Sequence, residues 1–127
     1  MTIKVGDEIQ FPPVTRDQIA DYADASGDRN PIHLDADFAK AAGFSDVIAH
    51  GMLSMGLVGL ALKKWNIEQL QIKSFETKFK EVVNLGDSLR VRVSKVIETQ
   101  LELDLINQSN QLVCSSRICL WDVLWVR

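Results

Sequence analysis

The sequence of 127 residues has little cysteine and no long hydrophobic run. Cys114 and Cys119 lie five residues apart in a β-patterned stretch, which places them on opposite faces of one strand. We therefore expect no disulfide between them, and free thiols are typical of a cytoplasmic protein. The longest apolar run, residues 57–62, is well short of the roughly 20 residues that cross a bilayer. No membrane segment is expected, and the polar N-terminus does not resemble a signal peptide.

The sequence also lacks an excess of positive charge. Lys and Arg total 14 against 17 Asp and Glu, giving a formal net charge of −3. Because nucleic-acid-binding domains usually carry a basic surface, we expect no nucleic-acid partner. The length and the apolar content of 46% predict a single globular domain over residues 1–127.

The first half of the chain carries helix signals. Thr15 followed by Gln18 forms a capping box, and the helix that starts there should end at Ser26-Gly27. Asp35 can cap a second, short helix from Ala36 to Ala42. Between the two helices, residues 28–33 are predicted to be non-helical.

A third helix is predicted from Gly51 to about Trp65, and its first three turns are apolar on every side. Such a helix must be surrounded by other parts of the protein. Gly56 and Gly59 cost helix propensity, so we expect a strand or a ligand to approach the helix closely at these positions.

The second half alternates apolar and polar residues, which predicts β-strands. The strands are expected at residues 75–80, 89–94, 101–105 and from Leu112 to about Val126. One-sided alternation with short turns indicates an antiparallel sheet with one buried face. The simplest arrangement is an α+β fold in which this sheet wraps around the helix at 51–65.

Only two histidines are available for imidazole chemistry. His33 follows Asp28 across the rigid Asn30-Pro31 turn, so a carboxylate and an imidazole can reach one water or substrate atom. Taken alone, this segment is more typical of a surface turn. Gly51 opens the central helix, where its free N–H could stabilise a developing oxyanion. For the side chain of His50 we predict a structural role, tying the loop to the helix start.

Metal and nucleotide sites are not expected. Asp35 and Asp37 lie near the Asp28–His33 segment, but Asp35 is better used as a helix cap and no second histidine has ligand spacing. Glycine-rich phosphate motifs are absent, so we expect no cofactor. Cations on the strands predict a solvated sheet face or, alternatively, a surface that docks an acidic carrier. These cations are Lys78, Lys80, Arg90, Arg92 and Lys95.

Two motifs resemble a known family. Residues 22–33, YADASGDRNPIH, with Ala39 six positions further on, are similar to the signature of the MaoC-like (R)-specific enoyl-thioester hydratases, also called hydratase 2. Residues 48–52, IAHGM, resemble the second hallmark of that family, and residues 79–87 resemble its strand and turn. The resemblance implies the hot-dog fold, in which an antiparallel sheet wraps around one long helix.

The resemblance implies a lyase that reversibly hydrates trans-2-enoyl thioesters to (R)-3-hydroxyacyl thioesters, or dehydrates them. Asp28 and His33 match the catalytic pair, Gly51 matches the residue whose N–H polarises the thioester, and Asn30 matches the residue that orients the pair. Which member of the pair activates water stays open. Small or flexible residues of the central helix are expected to shape the acyl pocket: Met52, Met55, Gly56 and Gly59.

The implied substrate is an acyl-CoA or acyl carrier protein thioester. An unpaired sheet edge predicts a dimer, with the acyl channel at or near the interface. A homodimer is expected, although residues 48–56 also resemble the catalytic subunit of heterodimeric dehydratases of fatty-acid elongation. Two alternatives stay open, namely a non-catalytic acyl-thioester-binding or partner subunit and a hot-dog thioesterase.

Overall fold

The computed structural model describes residues 3–122, and its helices precede most of its strands. The helices are α1 (Arg16–Ser26), α2 (Pro31–Leu34), α3 (Ala36–Ala41) and α4 (Gly51–Lys64), and a 3₁₀ turn covers Gln69–Gln71. The strands are β1 (Glu8–Gln10), β2 (Ile72–Phe79), β3 (Arg90–Ile97), β4 (Gln100–Ile106) and β5 (Leu112–Leu120). The last strand was predicted to continue to about Val126, but β5 ends at Leu120 and Trp121 and Asp122 form a bend; residues 123–127 lie outside the described part.

The five strands form one antiparallel sheet in the order β1-β3-β4-β5-β2. Strands β2 to β5 match the four predicted strands, whereas β1 was not predicted because its three residues are too few to show alternation. The inner face is apolar, since residues at alternate positions are buried. Its central side chains are Val91, Val93, Leu101, Leu103, Leu105 and Ile118. The α+β class and the hot-dog arrangement are confirmed.

Helix α4 packs on this inner face and runs beside β2. Phe79 and Phe75 of β2 lie next to Gly51 and Gly59, and a Cβ built on Gly59 would be 3.7 Å from the Phe75 ring. Phe79 therefore lies beside the first turn of α4, and Phe75 lies beside a part of α4 that is more than two turns further along the helix. This is an ordinary packing distance, so the contact leaves room for a Cβ at Gly59, and the close approach predicted there is not confirmed.

One face of α4 is not covered, contrary to the prediction that the helix is surrounded. Met52 is 56% exposed and Leu60 is 43% exposed. A Cβ on Gly56, which lies between them, would meet nothing within 4 Å, so the close approach predicted there is wrong for the residues described. Apolar composition shows that a helix face avoids water, but not which neighbour covers it.

The outer face of the sheet carries charges of alternating sign. Across neighbouring strands, Glu102 pairs with both Lys95 and Arg117, with nitrogen–oxygen distances of 3.8 and 3.6 Å. In the next row Arg92 lies between Asp104 and Glu8. Positive and negative neighbours balance one another, which favours the predicted solvated face over a basic docking surface.

Local capping explains most helix ends. The Oγ1 of Thr15 accepts a hydrogen bond from the Gln18 N–H at 3.1 Å, and α1 ends where Gly27 adopts φ 78°. The Asp35 carboxylate accepts bonds from two N–H groups of α3, as predicted for a cap. The prediction that residues 28–33 are non-helical is wrong for Pro31 and the residues after it, which form the turn α2. Proline suits the first position of a helix, because its fixed φ is helical and that position needs no N–H donor.

The two cysteines are free and lie on opposite faces of β5, as predicted. Cys114 is buried on the inner face, and burial raises the pKa of its thiol to about 11. Cys114 is therefore a small core residue in its thiol form. Among residues 3–122, no helix combines the length and the hydropathy needed to cross a membrane.

Candidate active site

His33 is buried, and its protonation is fixed on one side of the ring. It lies in α2 with 8% exposure, and its Nδ1 is 2.6 Å from the carbonyl oxygen of Ile48. Because a carbonyl only accepts hydrogen bonds, Nδ1 carries the proton in the neutral ring. The lone pair of Nε2 is therefore left for proton exchange with another group.

Asp28 lies in the loop between α1 and α2 and is held by its own neighbours. Its N–H donates to the Oγ of Ser26 at 3.1 Å, and its Oδ1 accepts from the N–H of Asn30 at 3.2 Å. The Oδ1 of Asn30 in turn accepts from the Ile32 N–H and caps α2, which carries His33. Asn30 thus connects the two predicted catalytic groups through backbone contacts.

The fold brings Asp28 and His33 together, and it adds His50 to them. One carboxylate oxygen and one ring nitrogen from each histidine all lie within 4.8 Å of one another. Asp28 is exposed, whereas both histidines are buried. A carboxylate and an imidazole at this distance can exchange protons with one bound molecule.

His50 is the residue whose place sequence reasoning did not anticipate. Its ring stacks on His33 with centroids 3.7 Å apart and planes 23° apart, and Tyr22 packs against it edge-on at 4.8 Å. Its Nε2 donates to the backbone carbonyl of Asp28 at 2.9 Å, so it ties the loop to the start of α4 as predicted. Its Nδ1 is buried and has no hydrogen-bond partner among residues 3–122.

A cavity of about 360 Å³ has His33 in its lining, but neither Asp28 nor His50. It is lined by Ile32, His33, Ile48, Ala49, Gly51, Ser54 and the segment 79–83. Ser54 was not among the predicted site residues, although it lies one turn after Gly51 and therefore on the same side of α4. The cavity joins the imidazole of His33 to the beginning of the central helix.

Gly51 is the first residue of α4, and no described residue accepts a hydrogen bond from its N–H. A Cβ added here would contact the Phe79 ring at 3.5 Å, which is an ordinary packing distance. Packing within this chain therefore does not demand glycine at this position. Free N–H groups and the helix dipole favour negative charge at this helix end, so a ligand oxygen can approach there.

The structure does not bring the predicted pocket residues of α4 to this cavity. Met52, Met55, Gly56 and Gly59 are absent from its lining. Gly59 lines a second cavity of about 360 Å³ with Phe75, further along the helix. The role of these four residues in substrate binding stays a prediction.

The loop before α4 is anchored to α1. The Val47 N–H and the Arg16 guanidinium hold the pKa of the Asp46 carboxyl below its usual value. The corresponding distances to the carboxylate are 2.7 Å from Val47 N and 3.2 Å from Arg16. Together with the bond from His33 to Ile48, these contacts fix the path of the chain into His50.

The cluster of Asp28, His33 and His50 has the residue types of a metal site, and its geometry tests that possibility. A shared ion needs ring lone pairs that converge on one point in the planes of both rings. Here the rings are stacked with nearly parallel planes. The arrangement suits proton transfer at His33 better than a shared metal ion.

Comparison with known proteins identifies the family. The family model described as MaoC like domain matches residues 4–113, which is most of the chain. The chain belongs to the MaoC-like family. Both motif segments that carry Asp28, His33 and Gly51 lie within the matched range, so the predicted resemblance is confirmed.

Two relatives of this MaoC-like chain are named as a hydratase and a dehydratase. It is 27% identical over 117 residues to a probable enoyl-CoA hydratase 2 of Dictyostelium discoideum, covering 90% of this chain and 40% of that protein. It is 32% identical over 87 residues to a 3-hydroxybutyryl-CoA dehydratase of Methylorubrum extorquens, covering 68% and 55% respectively. The chain thus spans only about half the length of these relatives.

An R-hydratase from Pseudomonas aeruginosa has a similar structure in its unliganded form. The TM-score is 0.76 at 26% identity, and the match covers 95% of this chain and 83% of that one. The MaoC-like chain therefore shares the backbone arrangement of a hydratase over almost its entire described length.

Proposed function

We propose that this MaoC-like chain is a lyase that reversibly adds water to trans-2-enoyl thioesters and forms (R)-3-hydroxyacyl thioesters. The observation that carries the proposal is the convergence of Asp28 and His33, together with a cavity whose lining includes both His33 and Gly51. The names of the relatives support this chemistry. The proposal needs no cofactor, because protons and a polarised thioester suffice for the reaction.

Hydration requires two proton transfers that the Asp28–His33 pair can perform. One member takes a proton from water while the water oxygen bonds to C3 of the enoyl group, and that proton is then passed to C2, either directly or through the other member. His33 would exchange its proton at Nε2, since Nδ1 is committed to the Ile48 carbonyl. The products are the 3-hydroxyacyl thioester and the original protonation state of the pair.

The start of α4 supplies the third requirement. When water adds to C3, negative charge develops on the thioester oxygen before C2 is protonated. The Gly51 N–H would donate to that oxygen, and a donor placed where charge develops lowers the barrier.

The proposal includes a homodimer that pairs through β2. This strand has eight residues, and only one of its two edges is paired among residues 3–122. Long unpaired edges are rarely left exposed. The exposed Met52, Leu60 and Phe79 would be covered by a second copy, which would also complete the acyl pocket near Met55, Gly56 and Gly59.

Crotonyl-CoA and the purified protein test the proposal. We expect loss of the conjugated enoyl-thioester absorbance, no release of free thiol, and (R)-3-hydroxybutyryl-CoA as the product. Release of thiol without alkene hydration would identify a thioesterase. If neither reaction occurs with the CoA or the acyl carrier protein thioester, the protein is a binding or partner subunit and the proposal is wrong.

A further inference from the structure

His50 is the only described residue with a buried side-chain nitrogen or oxygen that lacks a hydrogen-bond partner. The residue is 2% exposed, so water does not reach its Nδ1. An unpaired buried polar atom is unfavourable and rare in folded proteins. His50 thus occupies a buried place in which half of the hydrogen-bonding capacity of its imidazole is unused.

The side chain of His50 contacts both Asp28 and His33, the residues of the predicted proton pair, and His50 is the neighbour of Gly51 in the chain. Its Nε2–H binds the Asp28 carbonyl at 2.9 Å, and its ring stacks on His33 at 3.7 Å. It immediately precedes Gly51 in sequence. A displacement of His50 would therefore change the position of the proton pair relative to the helix N–H.

The hydrogen bonds also assign the two rings to opposite tautomers. His33 carries its proton on Nδ1 and His50 carries its proton on Nε2, because both donate to carbonyl oxygens. A second proton on His50 would lie on a buried Nδ1 without an acceptor. His50 is thus suited to hold the pair in place while His33 exchanges the proton.

We propose that His50 is a positioning residue of the hydration site, and this inference rests on the proposed function. It fixes Asp28 through its Nε2–H and His33 through ring stacking, and it exchanges no proton with substrate. The hydrogen bond and the stack are separable by substitution. His50→Phe keeps a ring but removes the donor, whereas His50→Gln removes the ring but keeps an N–H donor three bonds from Cβ.

Nitrogen-detected NMR of the full chain tests the tautomers without substrate. We expect His33 to be protonated on Nδ1 and His50 on Nε2, with the His50 Nδ1 as an unprotonated nitrogen. A proton on Nδ1 of His50 in the wild-type protein would overturn the inference. This measurement does not depend on the reaction that the protein catalyses.

Steady-state kinetics with crotonyl-CoA tests the role in turnover. We expect His50→Phe to lower kcat by about 10- to 100-fold with little change in KM, since small displacements of reacting groups have effects of that size. His50→Gln restores the donor to the Asp28 carbonyl but not the stack on His33, so it should recover only part of the loss. Val58→Ala, a fully buried change elsewhere on α4, should lower thermal stability but leave kcat unchanged.

The two proposals fail in different ways. A wild-type protein without hydratase activity overturns the proposed function and with it the role of His50 in turnover. An active wild type whose His50→Phe variant is equally active overturns the inference alone. So does a His50→Gln variant that is no better than His50→Phe while both variants melt like the wild-type protein.

Discussion

The outer face of the sheet and the start of α4 both gather titratable residues, but they do so in opposite ways. On the outer face, Lys95, Glu102 and Arg117 form a row of solvated pairs with distances of 3.6 to 3.8 Å. At the start of α4, a carboxylate oxygen and two ring nitrogens lie within 4.8 Å, and both imidazoles are buried.

The charges on the outer face can replace one another, because each is solvated. The groups near the start of α4 cannot, because each is held by its own particular contacts. Exposed ion pairs usually contribute between zero and about 1 kcal/mol, because water and salt screen them. Loss of one outer charge leaves its neighbours solvated. In the site, by contrast, His33 has one free nitrogen, Asp28 is held by one short loop, and His50 contacts both residues.

Removal of the proton pair should have the largest effect on activity. We expect Asp28→Asn and His33→Ala each to lower kcat for crotonyl-CoA hydration by about 10²-fold or more, because each removes a proton-transfer group. The outer-face variants Asp104→Asn and Arg92→Ala carry matched changes and should keep wild-type rates. Equal rates in all four variants would remove Asp28 and His33 from the mechanism.

Loss of the Gly51 N–H should have the next largest effect. Proline is tolerated at the first position of a helix, so Gly51→Pro removes the donor while α4 can still form. We expect kcat to fall by about 10²- to 10³-fold, the usual consequence of losing one oxyanion donor. Gly51→Ala adds a side chain but keeps the N–H. If the alanine variant loses as much activity as the proline variant, the Gly51 N–H is not the donor to the thioester oxygen.

The two faces of β4 should differ in stability. Leu103 is fully buried on the inner face, and Leu103→Ala should lower the free energy of unfolding by about 2–5 kcal/mol through lost contacts and a cavity. The neighbouring Glu102→Gln on the outer face should cost less than about 1 kcal/mol. Urea unfolding measures the free energy of unfolding of both variants. If both variants lose the same free energy, the ion pairs of the outer face contribute more to stability than exposed pairs usually do.

Two helix caps should show the smallest effects, and they should differ in activity but not in stability. Asn30→Ala and Thr15→Ala each remove one side-chain cap, and each should cost about 1 kcal/mol of stability. Only Asn30 lies between Asp28 and the turn that carries His33, so only its loss should also lower kcat. Two variants with equal kcat would confine Asn30 to a structural role.

Features that depend on neighbouring residues could be predicted from the sequence. The caps at Thr15 and Asp35 and the start of α4 at Gly51 are local, because each needs only the N–H groups or dihedral angles of the next turn. The four longer strands were also predictable, since alternation shows which face is buried. Asp28, His33 and Gly51 were recognisable because two short motifs contain them.

Features that depend on distant residues could not be predicted. Strand β1 is defined by pairing with β3, about 80 positions later, rather than by its own three residues. The stack of His50 on His33 requires the loop before α4 to return beside α2, where Ile48 accepts the His33 Nδ1–H. Nothing in the residues near His50 shows that return, so its contact with the pair was missed.

The most direct test of the central claim is a crystal structure with butyryl-CoA, which is saturated at C2–C3 and is not hydrated. We expect the thioester oxygen to lie within hydrogen-bond distance of the Gly51 nitrogen, with C2 and C3 facing His33 Nε2 and the Asp28 carboxylate. An acyl group bound away from all three, for example only in the cavity beside Gly59 and Phe75, would contradict it.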